Sequence, residues 1–217
     1  MAKSPSSSDR TQLQKIIASM AKDKVEVRIA GVLMANKLLD KSTQQPDMVE
    51  EITHSILQRV GEGFIVKMLL TCDDAIATNS KLKHVIRAAG FYFLSRACNS
   101  VKCAGLIDAA ALIGFYFEKS NFTSGEKSQL LAIAKSVTCV KGQVLGVLSA
   151  ITLILKLSIK FKTVNALEVL ITVSDMMMFI DSARSFAADS SQQRKELGEP
   201  EARALRSLLI QGKACSH

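Results

Sequence analysis

Five cysteines, three histidines and a few adjacent carboxylates are the residues of this 217-residue chain that could carry chemistry, and their spacing limits which chemistry is open to them. Cys98 and Cys103 stand five apart, while Cys72, Cys139 and Cys215 are scattered and His54, His84 and His217 are isolated. A structural zinc site takes four ligands at short paired spacings, and no C-x-x-C or H-x-x-x-H pair occurs. Neither a metal site nor a cofactor is expected. A nucleophilic cysteine needs a base beside it and a lowered pKa. Each cysteine here lies in or next to an apolar helical stretch, which keeps a thiol protonated. There is no G-x-S-x-G, no P-loop and no dinucleotide turn, and "GEG" at 61–63 is too short to cradle phosphate. Asp73 and Asp74, like Glu50 and Glu51, are sequence neighbours, and neighbours diverge around a helix. They fit loop and surface charges better than an acid–base pair. No catalytic residue is expected.

Charge is what remains. Lys and Arg number 28 against 20 Asp and Glu, a net charge of +8. Two basic groups stand out: Lys81, Lys83 and Arg87 at the start of one expected helix, and Lys156, Lys160 and Lys162 in "KLSIKFK" at the end of another. Lys156 and Lys160 are four apart and share a helix side. If the helices stack in register, the two groups line an edge that meets an acidic protein. A basic surface of this size also permits RNA, DNA or an anionic membrane as the alternative. Stacking aromatics are not interleaved with these lysines, which disfavours nucleic acid.

The elements that must position these groups are helices. Three prolines and eleven glycines are too few for the turns of a strand-rich chain, and no segment alternates as a strand does. Helices are expected near 9–20, 25–39, 46–60, 64–70, 80–97, 101–117, 125–138, 142–159, 165–187 and 200–211. Asp23 with Glu26, and Thr123 with Glu126, have the spacing of capping boxes, and Pro46 suits a first helical turn. The longest apolar runs, 144–155 and 103–117, fall short of the roughly 20 residues a membrane span needs. Met176, Met177 and Met178 cannot share one helix face and suggest a helix buried on all sides. A mobile tail at 1–8, a helical domain at 9–187, a polar linker at 188–198 and a terminal helix and tail at 199–217 complete the layout. The odd number of cysteines, together with an opening "MAKSPSSSDR" that lacks an apolar stretch, points to the reducing cytoplasm.

The words "GVLMA" (31–35) and "GVLSA" (146–150) are nearly identical, and "RIAGVLMANKLL" from Arg28 aligns with "RAAGFYFLSRAC" from Arg87. Gly31, Gly90 and Gly146 therefore recur at spacings of 59 (31 to 90) and 56 (90 to 146) residues, with about three helices in each interval. Small residues at mid-helix let a neighbouring backbone approach closely, and similarity at a fixed period is the mark of stacked helical repeats. The spacing predicts an all-α fold: an irregular armadillo/HEAT-like α-solenoid of about nine to ten helices, with Gly31, Gly90 and Gly146 in equivalent surroundings.

In order, "RIAGVLMANKLL" (28–39), "VGEGFIVKMLLT" (60–71) and "HVIRAAGFYFLSRAC" (84–98) resemble the amino-terminal part of the neurochondrin family. The matching positions are Gly63, Phe64, Leu69, Leu70, Thr71, Ala88, Gly90 and Cys98, and the similarity extends weakly over about 23–180. The resemblance implies an armadillo-like cytosolic scaffold, linked to neurite outgrowth and to binding and restraining signalling proteins. This chain departs from the family in being far shorter and in lacking the amino-terminal cysteines that family members can carry in lipidated form. Membrane attachment by that route is not expected. The expected function is a non-catalytic protein-interaction scaffold or adaptor.

Overall fold

The computed structural model describes residues 7–42, 45–61, 80–118, 122–138, 140, 143–161, 174–175 and 177–178. The expected helices at 64–70 and 200–211, the linker at 188–198 and most of 165–187 lie outside the described residues. Among the described residues all regular structure is helical. The helices are α1 (Ser7–Met20), α2 (Val25–Lys41), α3 (Pro46–Val60), α4 (Ser80–Ala97), α5 (Val101–Ala104), α6 (Ala109–Glu118), α7 (Ser124–Val137) and α8 (Gln143–Phe161). None is long and apolar enough to cross a membrane.

The helix boundaries follow local chemistry. Pro46 opens α3, where its missing N–H costs nothing. Gly61 closes α3 at φ +96°, a backbone conformation that side chains disfavour. The box expected at the start of α7 is complete: Thr123 Oγ1 accepts from Glu126 N at 3.2 Å, and Thr123 N donates to Glu126 Oε2 at 2.9 Å.

Three expectations need correction. Ser7 and Ser8 belong to α1 and not to a tail. Asp23 and Glu26 form no capping box, because the N-cap of α2 is Lys24; Asp23 instead faces Arg28 at 3.8 Å. The single helix expected over 101–117 is broken between α5 and α6. Asp108 Oδ1 accepts from Ala111 N at 3.0 Å, the bond of a residue that starts a helix. Gln143 fixes the break from outside, accepting from Ala109 N at 3.2 Å and donating to Ile107 O.

Helix directions can be read from the contacts. Ile29 packs with Ile86, Asn36 Nδ2 donates to Ala89 O at 2.9 Å, and Tyr92 OH donates to Asp40 Oδ1 at 2.7 Å. Residue numbers rise together along both helices, so α2 and α4 run parallel. Glu126 at the start of α7 meets His84 and Arg87 near the start of α4, while Ser136 near the end of α7 lies beside Cys98 just past α4. Thus α7 is parallel to α4 as well. On the other side α1 packs on α3 and α3 on α5, and further along α6 packs on α8. Lys102 reaches Glu50 at 3.4 Å and Cys103 Sγ donates to Glu50 O at 3.6 Å, which places α5 beside the start of α3. One continuous apolar core runs from Ile16 of α1 to Leu155 of α8.

Candidate partner-binding surface

The structure separates the five described residues of the six basic residues expected to bind a partner. Lys81 is exposed on α4 and Lys83 is half-buried beside it. Lys156 and Lys160 are exposed near the end of α8, and Lys162 lies outside the described residues. Helix α4 packs on α2, α3 and α7, whereas α8 packs on α6. The two groups therefore stand on different helix layers.

Arg87 is a correction. It is 1% exposed and serves the interior. Its guanidinium lies 4.2 Å from the centroid of the Phe122 ring, and Nη1 donates to Glu126 Oε2 at 3.2 Å. His84 Nδ1 donates to the other oxygen, Oε1, at 3.0 Å. Glu126 thus closes the helix cap of α7 and ties α7 to α4 with the same carboxylate. The reason Arg87 is inside is the delocalised, weakly hydrated guanidinium, which stacks on an aromatic face and pairs with a carboxylate at once. Sequence periodicity shows a cation on α4 but cannot show that α7 brings a carboxylate to meet it.

Burial pushes the Glu126 carboxyl up, but the Thr123 N–H, the His84 bond and the Arg87 charge outweigh it, and the net position is below the ordinary carboxylate value. A carboxyl lowered by folding adds stability that is fully present above its unfolded value, about 4.3. That stability is lost as the pH falls through the lower folded value. The expected result is a stability gap between the wild type and Glu126→Gln that is widest at neutral pH and narrows steadily from about pH 5 to about pH 3. Urea unfolding at each pH measures it.

Cys98 and Cys103 are free, and burial raises both thiols above their usual value. Cys103 Sγ donates to Glu50 O at 3.6 Å and Cys98 Sγ to Ser95 O at 3.0 Å, so both thiols are packing groups bonded to backbone carbonyls. Among the described residues no three His, Cys, Asp or Glu side chains stand close enough to hold a metal. The methionine run departs from the helix buried on all sides: Met177 packs on the core but Met178 is exposed, and Met176 lies outside the described residues.

Sequence reasoning missed the exposed apolar residues. Leu33 on α2 is 41% exposed, and Val85 and Tyr92 on α4 are 58% and 41% exposed. Helices this rich in apolar residues carry them on nearly every side, so the sequence pattern does not mark which side stays open. Here Tyr92 decides the arrangement. Its hydroxyl reaches Asp40 across the gap between helices, and Arg96 joins them, with Nη2 3.0 Å from Asp40 Oδ1 and its guanidinium carbon 4.6 Å from the Tyr92 centroid. Asp40 continues the stripe Leu33–Lys37–Asp40, and Tyr92 the stripe Lys81–Val85–Ala88–Tyr92. The two open stripes therefore lie side by side. No protein-family model matches this chain, and no curated protein or solved structure does.

Proposed function

We propose that the chain is a non-catalytic protein-interaction scaffold of the cytoplasm, built as an irregular armadillo/HEAT-like solenoid and serving signalling or trafficking in the manner the neurochondrin resemblance implies. The observation that carries this reading is the parallel run α2–α4–α7, each helix packed on the next in chain order, with α1, α3 and α5 behind it. Stacked repeats bury their apolar faces against neighbours and leave an extended outer surface whose side chains are already fixed. Docking on such a surface orders few groups, so little binding energy is lost to entropy. The bonds Asn36–Ala89 and Arg87–Glu126 are the fixed points that hold the run in register.

The test is affinity purification of the full chain from its native cells, with and without nuclease, followed by mass spectrometry. Discrete protein partners at near-stoichiometric recovery that survive nuclease are the expected result. Recovery abolished by nuclease would overturn the reading in favour of RNA or DNA. Flotation with anionic vesicles in the absence of any protein partner would overturn it in favour of a membrane surface.

A further inference from the structure

We propose that the paired stripes of α2 and α4 form a docking platform for an acidic amphipathic helix of a partner protein, an inference that rests on the scaffold reading and names the partner's chemistry. The platform has an apolar centre. Val85, Ala88 and Tyr92 follow one another along the open side of α4, and Ala30 and Leu33 along that of α2. The contacts Ile29–Ile86, Asn36–Ala89 and Asp40–Tyr92 set the register, which puts Leu33 level with the Val85–Ala88 turn. Two parallel helices bridged beneath by buried contacts leave a shallow seam between their open sides. A helix with apolar residues at i, i+3, i+4 and i+7 fits such a seam.

The charge around the centre is positive. Lys81 lies one turn before Val85, and Lys37 one turn after Leu33. Both are exposed, and neither has an ion-pair partner among the described residues. Asp40, the acid nearest the centre, is already taken by Arg96 and Tyr92. Glu26 is exposed on the same stripe of α2, one turn before Ala30 and at the opposite end from Lys37. A neutral or basic helix would leave Lys37 and Lys81 unanswered beside an apolar contact, whereas Asp or Glu flanking the apolar anchors would pair with them and steer encounter. The side chain of Tyr92, fixed by two bonds and 41% exposed, is the type of anchor that carries much of the energy at protein interfaces.

The experiment is a selection of displayed helical peptides, randomised at every position, against the full chain. Enriched peptides should carry aliphatic anchors at helical spacing flanked by Asp or Glu. Binding of a selected peptide should fall about tenfold or more in Val85→Asp and in Leu33→Asp. It should fall several-fold in Lys37→Glu with Lys81→Glu, and this loss should shrink as salt rises. Lys156→Glu should leave it unchanged. All five positions are exposed, so circular dichroism should match the wild type in every variant. Peptides that bind equally well to Val85→Asp and Leu33→Asp but are lost in Lys156→Glu would overturn the platform and leave the scaffold reading standing. A selection that enriches nothing would overturn both. Self-association abolished by Val85→Asp would replace the partner helix with a second copy of the chain, and vesicle binding abolished by it would replace the partner with a membrane; either overturns the proposal.

Discussion

Arg87→Ala should cost about 3 kcal/mol of stability in urea unfolding. Two effects combine. The guanidinium is 1% exposed and stacked over Phe122, so its removal leaves a void beneath an aromatic ring. It also leaves Glu126, whose side chain is 11% exposed, with the Thr123 N–H and a half-exposed His84 as its remaining partners. Removing one member of a buried pair typically costs more than the pair contributes, because the other charge stays behind without its counter-ion. Arg87→Lys keeps the charge but loses the flat face that meets Phe122, and should cost about half as much. The double change Arg87→Met with Glu126→Gln should recover much of the loss, since no buried charge is then left unanswered. A loss below about 1 kcal/mol for Arg87→Ala would show that the α4–α7 contact is held by its apolar residues alone.

The misreading of Arg87 shows where the sequence stops being informative. Helix type, most helix ends and the Thr123–Glu126 box are legible because they depend on residues within one turn of each other. The box even names the carboxylate. What it leaves hidden is the rest of the carboxylate's bonding: Oε2 also accepts from Arg87, 39 positions earlier, and Oε1 from His84, 42 positions earlier. The break at Asp108 was hidden for a different reason. The run from Val101 to Phe117 is apolar enough to continue as one helix, and Asp108 is its one acid; only the clamp from Gln143 settles that it caps a new helix. The open stripes on α2 and α4 were hidden because nearly every side of these helices is greasy. Periodicity marks a buried face by contrast with a polar one, and here the contrast is weak.

The pentapeptide repeat was half right, and a pair of substitutions measures which half. Gly31→Ala should destabilise the chain by about 1–2 kcal/mol, while Gly146→Ala should stabilise it by about 0.5–1 kcal/mol. A Cβ on Gly31 would sit 2.8 Å from Met20 Cγ, 3.1 Å from Met20 N and 3.3 Å from Ile16 O. Met20 is fully buried, and two of the three contacts are backbone, so α1 itself would have to move. Alanine improves helix propensity by about 1 kcal/mol, but overpacking costs about 1–3 kcal/mol and wins. At Gly146 the nearest atom is Ala110 Cβ at 3.7 Å, an ordinary contact, so only the propensity gain remains. The difference follows from the layers. Helix α2 crosses α1 at a point where the backbones touch, and α8 lies against α6 with room to spare. The helix that continues the α2–α4 run is α7, so the resemblance of "GVLSA" to "GVLMA" reflects the small and aliphatic make-up of buried helices in general. Urea midpoints for both variants, at unchanged slope, decide the matter. If Gly31→Ala is neutral or stabilising, close backbone approach is not what holds glycine at position 31.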